Sequence, residues 1–243
     1  MGDFHVHTTF SDGKNTPEEM LLSALDRGLD AIGFSDHSYT WFDEGYCIPK
    51  DRLTEYRKTV EGLKRKYAGK IRVYCGIEQD LYSRAPAGDY DYRIGSVHYL
   101  LREGVHLPVD ESPELLRAAA ERYYGGEYYA MAEDYFQSVS RVPEATGADL
   151  IGHFDLIAKF NEGSRLFDEH HPRYIAAWQK ALDVLIPTGI PFEINTGAIS
   201  RGYRSIPYPA PEMQAEILRR GGKLVWSSDS HRAETLCFGF PDL

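Results

Sequence analysis

The sequence predicts an α/β fold with a parallel, barrel-like sheet, and three observations support this prediction. Short apolar, β-prone runs recur along the 243 residues and alternate with helical patterns or longer loops. Histidine and carboxylate residues follow the ends of these runs. No low-complexity tract, repeat or linker divides the chain, which is long enough to bury one large core. We therefore expect a single barrel domain over residues 1–243.

The first elements are defined by caps and by apolar periodicity. A strand is expected at His5, and Thr16-Pro17-Glu18-Glu19 then supplies a helix N-cap, a proline at the first helical position and a capping-box glutamate. A buried strand is predicted over 31–34 and another over 71–77. Between them lies a second helix, whose apolar stripe consists of Leu53, Tyr56, Val60, Leu63 and Tyr67.

Four further strands bring the predicted total to seven, near 94–97, 149–152, 192–195 and 224–227. The stretch between the fourth and fifth strands exceeds one crossover, so we expect an insertion of two helices at about 104–146. It contains a turn-rich piece over 104–110, a helix start at Ser112-Pro113-Glu114 and many tyrosines over 123–136. Tyrosines at helical spacing favour half-buried packing over a substrate lid.

Composition limits the classes of partner. The net charge of −10 and the pI near 5.4 argue against broad binding to nucleic acid or anionic membranes, because such surfaces repel phosphates. Cys47, Cys75 and Cys237 match no zinc or redox spacing, so we expect them to be structural in a reducing compartment. No basic and apolar leader or membrane-spanning run is found. These features predict a cytoplasmic protein.

Polar residues at strand ends predict a metal site assembled from both ends of the chain. His5-Val6-His7 and Asp229-Ser230-His231 place pairs of side chains on one strand face, because residues two apart point the same way. One such pair is often an ordinary polar strand end, but the recurrence of these groups favours ligands. The candidates are His5, His7, Asp12, His37, Glu78, His98, His153, Asp229 and His231. Catalytic zinc uses about three protein ligands, so more than one ion is expected, with Glu78 suited to bridging.

The ordered motifs resemble those of the PHP family, named for polymerase and histidinol phosphatase, over residues 3–231. They are His5-Val6-His7, Asp12, Ser35-Asp36-His37, Gly76-Ile77-Glu78, Gly95-Ser96-Val97-His98, Gly152-His153 and Ser228-Asp229-Ser230-His231. The resemblance implies a distorted (β/α)7, TIM-like barrel with two or three divalent transition-metal ions (Zn, Mn or Fe). It implies three ligand sets, which are His5, His7, Glu78 and Asp229; Glu78, His98 and His153; and Asp12, His37 and His231.

Residues 155–160 after His153, and residues 192–196 followed by an arginine-bearing, proline-rich loop, resemble the histidinol-phosphate phosphatase branch. That resemblance implies that Arg201 and Arg204 bind the substrate phosphate, with Lys159 behind them. If replacing both arginines left the kinetics unchanged, Lys159 or Arg84 would be the alternative. We expect hydrolysis of L-histidinol phosphate to L-histidinol and phosphate by a hydroxide that bridges two metal ions. The residues expected to carry catalysis are Glu78, Asp229, Arg201 and Arg204.

Two alternatives stay open. One is a PHP-type phosphodiesterase or nuclease, against which the acidic composition and the lack of a basic groove weigh. The other is a non-catalytic metal-binding domain.

The expected partner is a small phosphomonoester rather than nucleic acid or membrane. Asp36 is expected to orient neighbouring residues rather than bind metal. Relatives usually continue past the last motif with a closing helix, so we expect a chain shortened at this end.

Overall fold

The structure is a computed structural model that describes residues 1–83 and 88–241. Its strands are β1 (Gly2–Asp3), β2 (Ala31–Phe34), β3 (Arg72–Asp80), β4 (Tyr92–Ser96), β5 (Tyr99–Arg102), β6 (Val105–Pro108), β7 (Leu150–Ile151), β8 (Phe192–Asn195) and β9 (Leu224–Ser227). Seven of them form one parallel sheet in the order β1-β2-β3-β4-β7-β8-β9. A parallel bridge between Val6 and Ser230 joins the two edges. This nearly closed barrel confirms the predicted fold class.

The helices are α1 (Pro17–Asp26), α2 (Leu53–Lys66), α3 (Pro113–Tyr124), α4 (Tyr128–Ser140), α5 (Val142–Thr146), α6 (Pro172–Leu185), α7 (Gly197–Ser200) and α8 (Pro211–Arg219). At the start of α1, the Thr16 hydroxyl accepts a hydrogen bond from Glu19 N, and Thr16 N donates to Glu19 Oε2 at 2.7 Å. The predicted capping box is therefore present. None of the helices in the described ranges is long and apolar enough to cross a bilayer.

The segment between β4 and β7 begins with an antiparallel hairpin, β5–β6, and continues with α3, α4 and α5. The sequence predicted only turns before the first inserted helix. A hairpin forms there because Glu103 and Gly104 both have positive φ, which matches the twist of a tight two-residue β-turn. Tyr124 and Tyr135 are buried in the core of this region rather than covering the cleft.

The barrel wall is packed on its outside by two apolar clusters. One lies under β1–β3, α1 and α2, and it includes Val6, Phe34 and Tyr56. The other lies under β4, β7, β8 and the inserted helices. Leu236 and Phe240, from the segment after β9, pack into the first cluster, and Phe240 contacts Trp226 with ring centroids 5.9 Å apart. This segment thus covers part of the last strand, and the described part of it contains a short 3-10 helix, Ala233–Thr235, but no α-helix.

Candidate metal centre

Glu78 is the central residue of a buried polar cluster at the C-terminal ends of the strands. Its side chain points inward from β3, and its Oε2 atom faces three imidazoles. The Oε2 atom lies 3.3 Å from His5 Nε2, 3.5 Å from His7 Nε2 and 2.8 Å from His37 Nδ1. His5 and His7 follow β1, and His37 follows β2, so neighbouring parallel strands deliver all three to one place.

The other Glu78 oxygen, Oε1, faces the opposite side of the barrel. It lies 2.9 Å from His153 Nε2, after β7, and 3.4 Å from His98 Nε2, after β4. Ser96 Oγ also donates a hydrogen bond to Oε1 at 2.6 Å. Because its two oxygens face different sets of imidazoles, Glu78 has the geometry of a bridging carboxylate.

Asp229 and Asp12 extend the cluster from the two ends of the chain. Asp229 Oδ1 lies 3.3 Å from His7 Nε2 and 3.7 Å from His5 Nε2. Asp12 Oδ2 lies 3.2 Å from His231 Nε2, and Asp12 Oδ1 lies 3.7 Å from His37 Nε2. All nine residues singled out from the sequence therefore meet at one edge of the barrel.

Three groups of donor atoms are close enough to share an ion. They are His7, Asp12, His37 and His231; His5, His7 and Asp229; and His37, Glu78 and His98. These groups overlap with the three ligand sets implied by the family resemblance. They differ in that His7 and His37 each belong to two of the observed groups. His153 contacts Glu78 without entering a group of its own among the described residues.

Unpaired buried atoms provide a test of whether these residues fit metal ions. His5 Nε2, both ring nitrogens of His7 and Asp12 Oδ1 are buried and have no hydrogen-bond partner in the described chain. Leaving such atoms unsatisfied is costly, and cation coordination removes the cost. Imidazole nitrogens and carboxylate oxygens are ligands for Zn, Mn and Fe. The donor set fits divalent transition-metal ions.

The pKa values of His7 and Glu78 favour the states of these two side chains that bind cations. Burial, together with the nearby rings of His231 and His37, lowers the pKa of His7 to about 3, so its ring is neutral. Burial alone would raise the pKa of Glu78, but the imidazoles of His37 and His5 hold it well below its usual range. Glu78 is therefore a carboxylate at neutral pH.

Glu193, on β8, is a functional residue to which the sequence argument gave no role. Its Oε2 atom lies 2.7 Å from His5 Nδ1 and accepts a hydrogen bond from Ser227 Oγ at 2.5 Å. Its Oε1 atom accepts hydrogen bonds from His153 N at 2.5 Å and Asn195 Nδ2 at 2.8 Å. Glu193 thus turns His5 Nε2 toward the cluster. The signal in the sequence was a carboxylate inside an apolar strand, Phe192–Asn195.

Two aspartates hold ligand-bearing loops in place. Asp36 accepts hydrogen bonds from Thr8 N at 2.8 Å and from Ser11 Oγ at 2.6 Å, which fixes the loop that carries Asp12. This contact pattern agrees with the expectation that Asp36 orients its neighbours. Asp80 accepts a hydrogen bond from His98 N at 2.8 Å. Burial would lower the pKa of His98, but Glu78 and Asp80 raise it to about 9.

The basic residues predicted to bind the substrate phosphate lie at different places relative to the cluster. Arg201 lies beside the cluster, where its Nη2 atom is 3.0 Å from Asp229 Oδ2 and its Nη1 atom donates to Asp229 O at 2.9 Å. Lys159 Nζ donates to Asp110 O at 2.7 Å and lies 3.1 Å from Asp110 Oδ2, at the cleft wall. Arg84 lies outside the described residues.

The position of Arg204 differs from that of Arg201. Its side chain is buried, its Nη1 atom donates to Ala158 O at 2.9 Å, and its Nη2 atom lies 3.0 Å from Glu169 Oε2. Arg204 does not line the cleft above the cluster, because this buried ion pair directs its guanidinium away from it. This position of Arg204 does not support the expected contact with the substrate phosphate.

An open cleft of about 880 Å³ lies directly over the cluster. Its floor includes His37, Glu78, His98 and Asp229, and Arg201 forms part of its wall. This volume accommodates a small organic phosphate, and the polar floor would face the phosphoryl group. The arrangement has the form of an active site with cation ligands at its base.

A sequence profile described as the PHP domain matches residues 3–197, so the chain belongs to the PHP family. It is 31% identical over 251 aligned positions to a protein of Deinococcus radiodurans named as a histidinol-phosphatase, covering 99% of this chain and 90% of that protein. It is 24% identical over 261 positions to the histidinol-phosphatase of Bacillus subtilis, covering 98% and 96%. The similarity therefore lies in the histidinol-phosphatase branch, as predicted.

Solved structures confirm the fold. A structure described as a histidinol phosphatase from Listeria monocytogenes superposes with a TM-score of 0.85 at 21% identity, covering 99% of this chain and 98% of that one. The histidinol phosphate phosphatase of Lactococcus lactis, solved with zinc, L-histidinol and phosphate, gives a TM-score of 0.67 at 20% identity, covering 96% and 86%. At these identities the likeness establishes the shared barrel.

Proposed function

We propose that this chain is a metal-dependent phosphomonoesterase that hydrolyses L-histidinol phosphate to L-histidinol and phosphate. The observation that carries the proposal is the largely buried cluster of nine histidine and carboxylate residues under an open cleft, with Arg201 at its edge. Membership of the PHP family and similarity to histidinol-phosphatases over nearly the whole chain support it. The Lactococcus lactis protein was solved with zinc and both products of this reaction.

The proposal includes two or three ions of Zn, Mn or Fe. His5, His7, Glu78 and Asp229 would hold one, and Glu78, His98 and His153 a second. Asp12, His37 and His231 would hold the third. When bound, such ions make a hydroxide nucleophile available at neutral pH and neutralise charge on phosphoryl oxygens.

Two basic side chains of the chain would position the phosphate ester and stabilise its negative charge. Arg201 is held by Asp229 and lies 3.0 Å from His231 Nδ1, so its guanidinium is fixed at the edge of the cluster. From there it would donate hydrogen bonds to phosphoryl oxygens and stabilise the charge that develops on them. Lys159, held by Asp110, would present a second cation to the same group.

The test is phosphate release by protein that has been stripped with a chelator and reloaded with zinc, manganese or iron. We expect the reloaded protein to release phosphate from L-histidinol phosphate and to act weakly on bis(4-nitrophenyl) phosphate and single-stranded DNA. Glu78→Ala is the inactive control. Cleavage of the diesters without release from the monoester would favour a phosphodiesterase, and metal retention without any hydrolysis would favour a non-catalytic domain.

A further inference from the structure

The rim of the cleft carries separate basic and acidic arcs among the described residues. The segments after β7, β8, β9 and β1, which are consecutive around the closed sheet, supply its cations, Lys159, Arg201, Arg232 and Lys14. Apart from the ligand carboxylates Asp12, Glu78 and Asp229, its anions are Asp43, in the segment after β2, and Asp110 and Glu111, which follow the β5–β6 hairpin. A ligand with charge of both signs would therefore bind in one direction.

Within the acidic arc, Asp43 differs from Asp110. Asp110 already pairs with Lys159, so much of its charge is compensated. Asp43 accepts a hydrogen bond from Tyr99 OH at 2.7 Å, and no cationic side chain within 1–83 and 88–241 forms an ion pair with it. Its carboxylate is thus fixed in position while its negative charge remains available to a ligand in the cleft.

Two aromatic rings connect Asp43 to the metal centre. The Tyr46 ring lies 4.8 Å from the His37 ring and 6.2 Å from the Tyr99 ring, measured between centroids. Tyr46 and Tyr99 both line the cleft. Aromatic faces next to a carboxylate stabilise a bound cation through the ring quadrupole and the opposite charge.

We propose that Asp43, Tyr46 and Tyr99 form the subsite that recognises the cationic half of the substrate, and that Asp43 determines specificity. The inference rests on the proposed function, because it requires the phosphate to lie over the metal cluster beside Arg201. The preferred substrate class is then a phosphomonoester of an alcohol that carries a protonated amine or imidazole. Esters of neutral alcohols gain nothing from Asp43.

The neighbouring residue provides a matched control. Glu44 has the same charge and lies in the same loop, but it does not line the cleft, and its Oε1 atom accepts a hydrogen bond from Tyr39 OH at 2.6 Å. Asp43→Asn removes the charge and retains an oxygen that can accept the Tyr99 hydrogen bond. Glu44→Gln makes the equivalent change outside the cleft.

The experiment compares kcat/KM for L-histidinol phosphate and for 4-nitrophenyl phosphate in zinc-loaded wild type, Asp43→Asn and Glu44→Gln. Loss of one charged contact predicts that Asp43→Asn lowers kcat/KM for L-histidinol phosphate by about 10- to 100-fold. Activity on 4-nitrophenyl phosphate, whose alcohol is neutral, stays near the wild-type value and shows that the variant is folded. Glu44→Gln leaves both values unchanged.

Equal losses on both esters, or no loss on either, would overturn the Asp43 assignment while leaving the phosphatase in place. Wild-type activity on 4-nitrophenyl phosphate without activity on L-histidinol phosphate would also overturn it. If the metal-loaded wild type hydrolyses neither ester, the proposed function itself fails, and the inference fails with it.

Discussion

At the scale of single residues, Glu193 supports two ligand candidates without belonging to the ligand set itself. Its carboxylate contacts the ring of His5 and accepts a hydrogen bond from the backbone of His153. The rings of these two histidines face different oxygens of Glu78. Such carboxylates fix the orientation of a metal-binding imidazole and increase its basicity. Glu193 is a positioning residue in this account, since it does not reach the cleft.

Glu193→Gln tests this role. We expect zinc affinity, measured by competition with a chromogenic chelator, to fall by about 10- to 100-fold because His5 loses its charged partner. Glu216→Gln in α8 is the control and leaves affinity unchanged, because its carboxylate pairs with Arg219 and Arg220 rather than with a ligand candidate. Wild-type affinity in Glu193→Gln would show that His5 needs no such support.

Arg201 and Arg204 are close in sequence, but the structure predicts different effects for their replacement. Arg201→Ala removes a donor beside the cluster, so we expect kcat/KM for L-histidinol phosphate to fall by about 100-fold or more. Arg204→Ala leaves Glu169 without its buried partner, so we expect the free energy of unfolding to fall by about 3–5 kcal/mol.

Steady-state kinetics and urea unfolding on the same zinc-loaded preparations separate the two effects. The folded Arg204→Ala variant should retain near wild-type kcat/KM. A large kinetic defect in stable Arg204→Ala, or unchanged kinetics in Arg201→Ala, would contradict these assignments.

The residue types at strand ends made the ligand candidates visible in the sequence. His5 and His7 could be singled out because their spacing places them on one face, and Glu78 because it ends an apolar run. The buried ion pair of Arg204 could not be predicted, because its partner, Glu169, lies 35 positions earlier in a loop. Such pairings depend on tertiary contacts that a local pattern does not contain.

At the scale of elements, caps and periodicity predicted the helices better than the short strands. The Thr16 capping box marks the start of α1, and the apolar stripe marks α2. The first strand was expected at His5, whereas β1 covers Gly2–Asp3 and Val6 pairs separately with Ser230. The β5–β6 hairpin was missed because its strands are partly exposed and flank a turn, so they lack the fully buried apolar run of β2 or β8.

The capping box of α1 gives a prediction at this scale. Thr16→Ala leaves the Glu19 amide without its side-chain acceptor, so we expect the free energy of unfolding to fall by about 1 kcal/mol. Urea unfolding of the zinc-loaded protein measures this change. Thr54→Ala on the exposed side of α2 is the control, and equal stability of both variants would show that the cap contributes little.

A glycine in β3 shows a constraint that the sequence does not reveal. A Cβ atom at Gly76 would lie 2.2 Å from the Tyr92 ring, and Tyr92 OH donates a hydrogen bond to Phe4 O at 2.6 Å. Tyr92 therefore packs across the sheet where β3 has no side chain. This contact fixes the strand that delivers Glu78.

At the scale of the whole molecule, the site exists only because the barrel closes. Residues before position 13 and after position 228 share one part of the cluster, and the Val6–Ser230 bridge joins the strands that carry them. The overall charge of −10 does not indicate the basic arc beside the cluster, because composition averages over the surface. The cytoplasmic location and the single-domain organisation stay predictions.

The number of zinc ions per chain tests the central claim most directly. Protein stripped of metal and reloaded should contain at least two zinc ions per chain, measured by inductively coupled plasma mass spectrometry. The Glu78→Ala variant should lose at least one of these ions, because Glu78 faces both halves of the cluster. A wild-type protein that hydrolyses L-histidinol phosphate with no bound metal, or a Glu78→Ala variant with undiminished zinc content, would contradict the account.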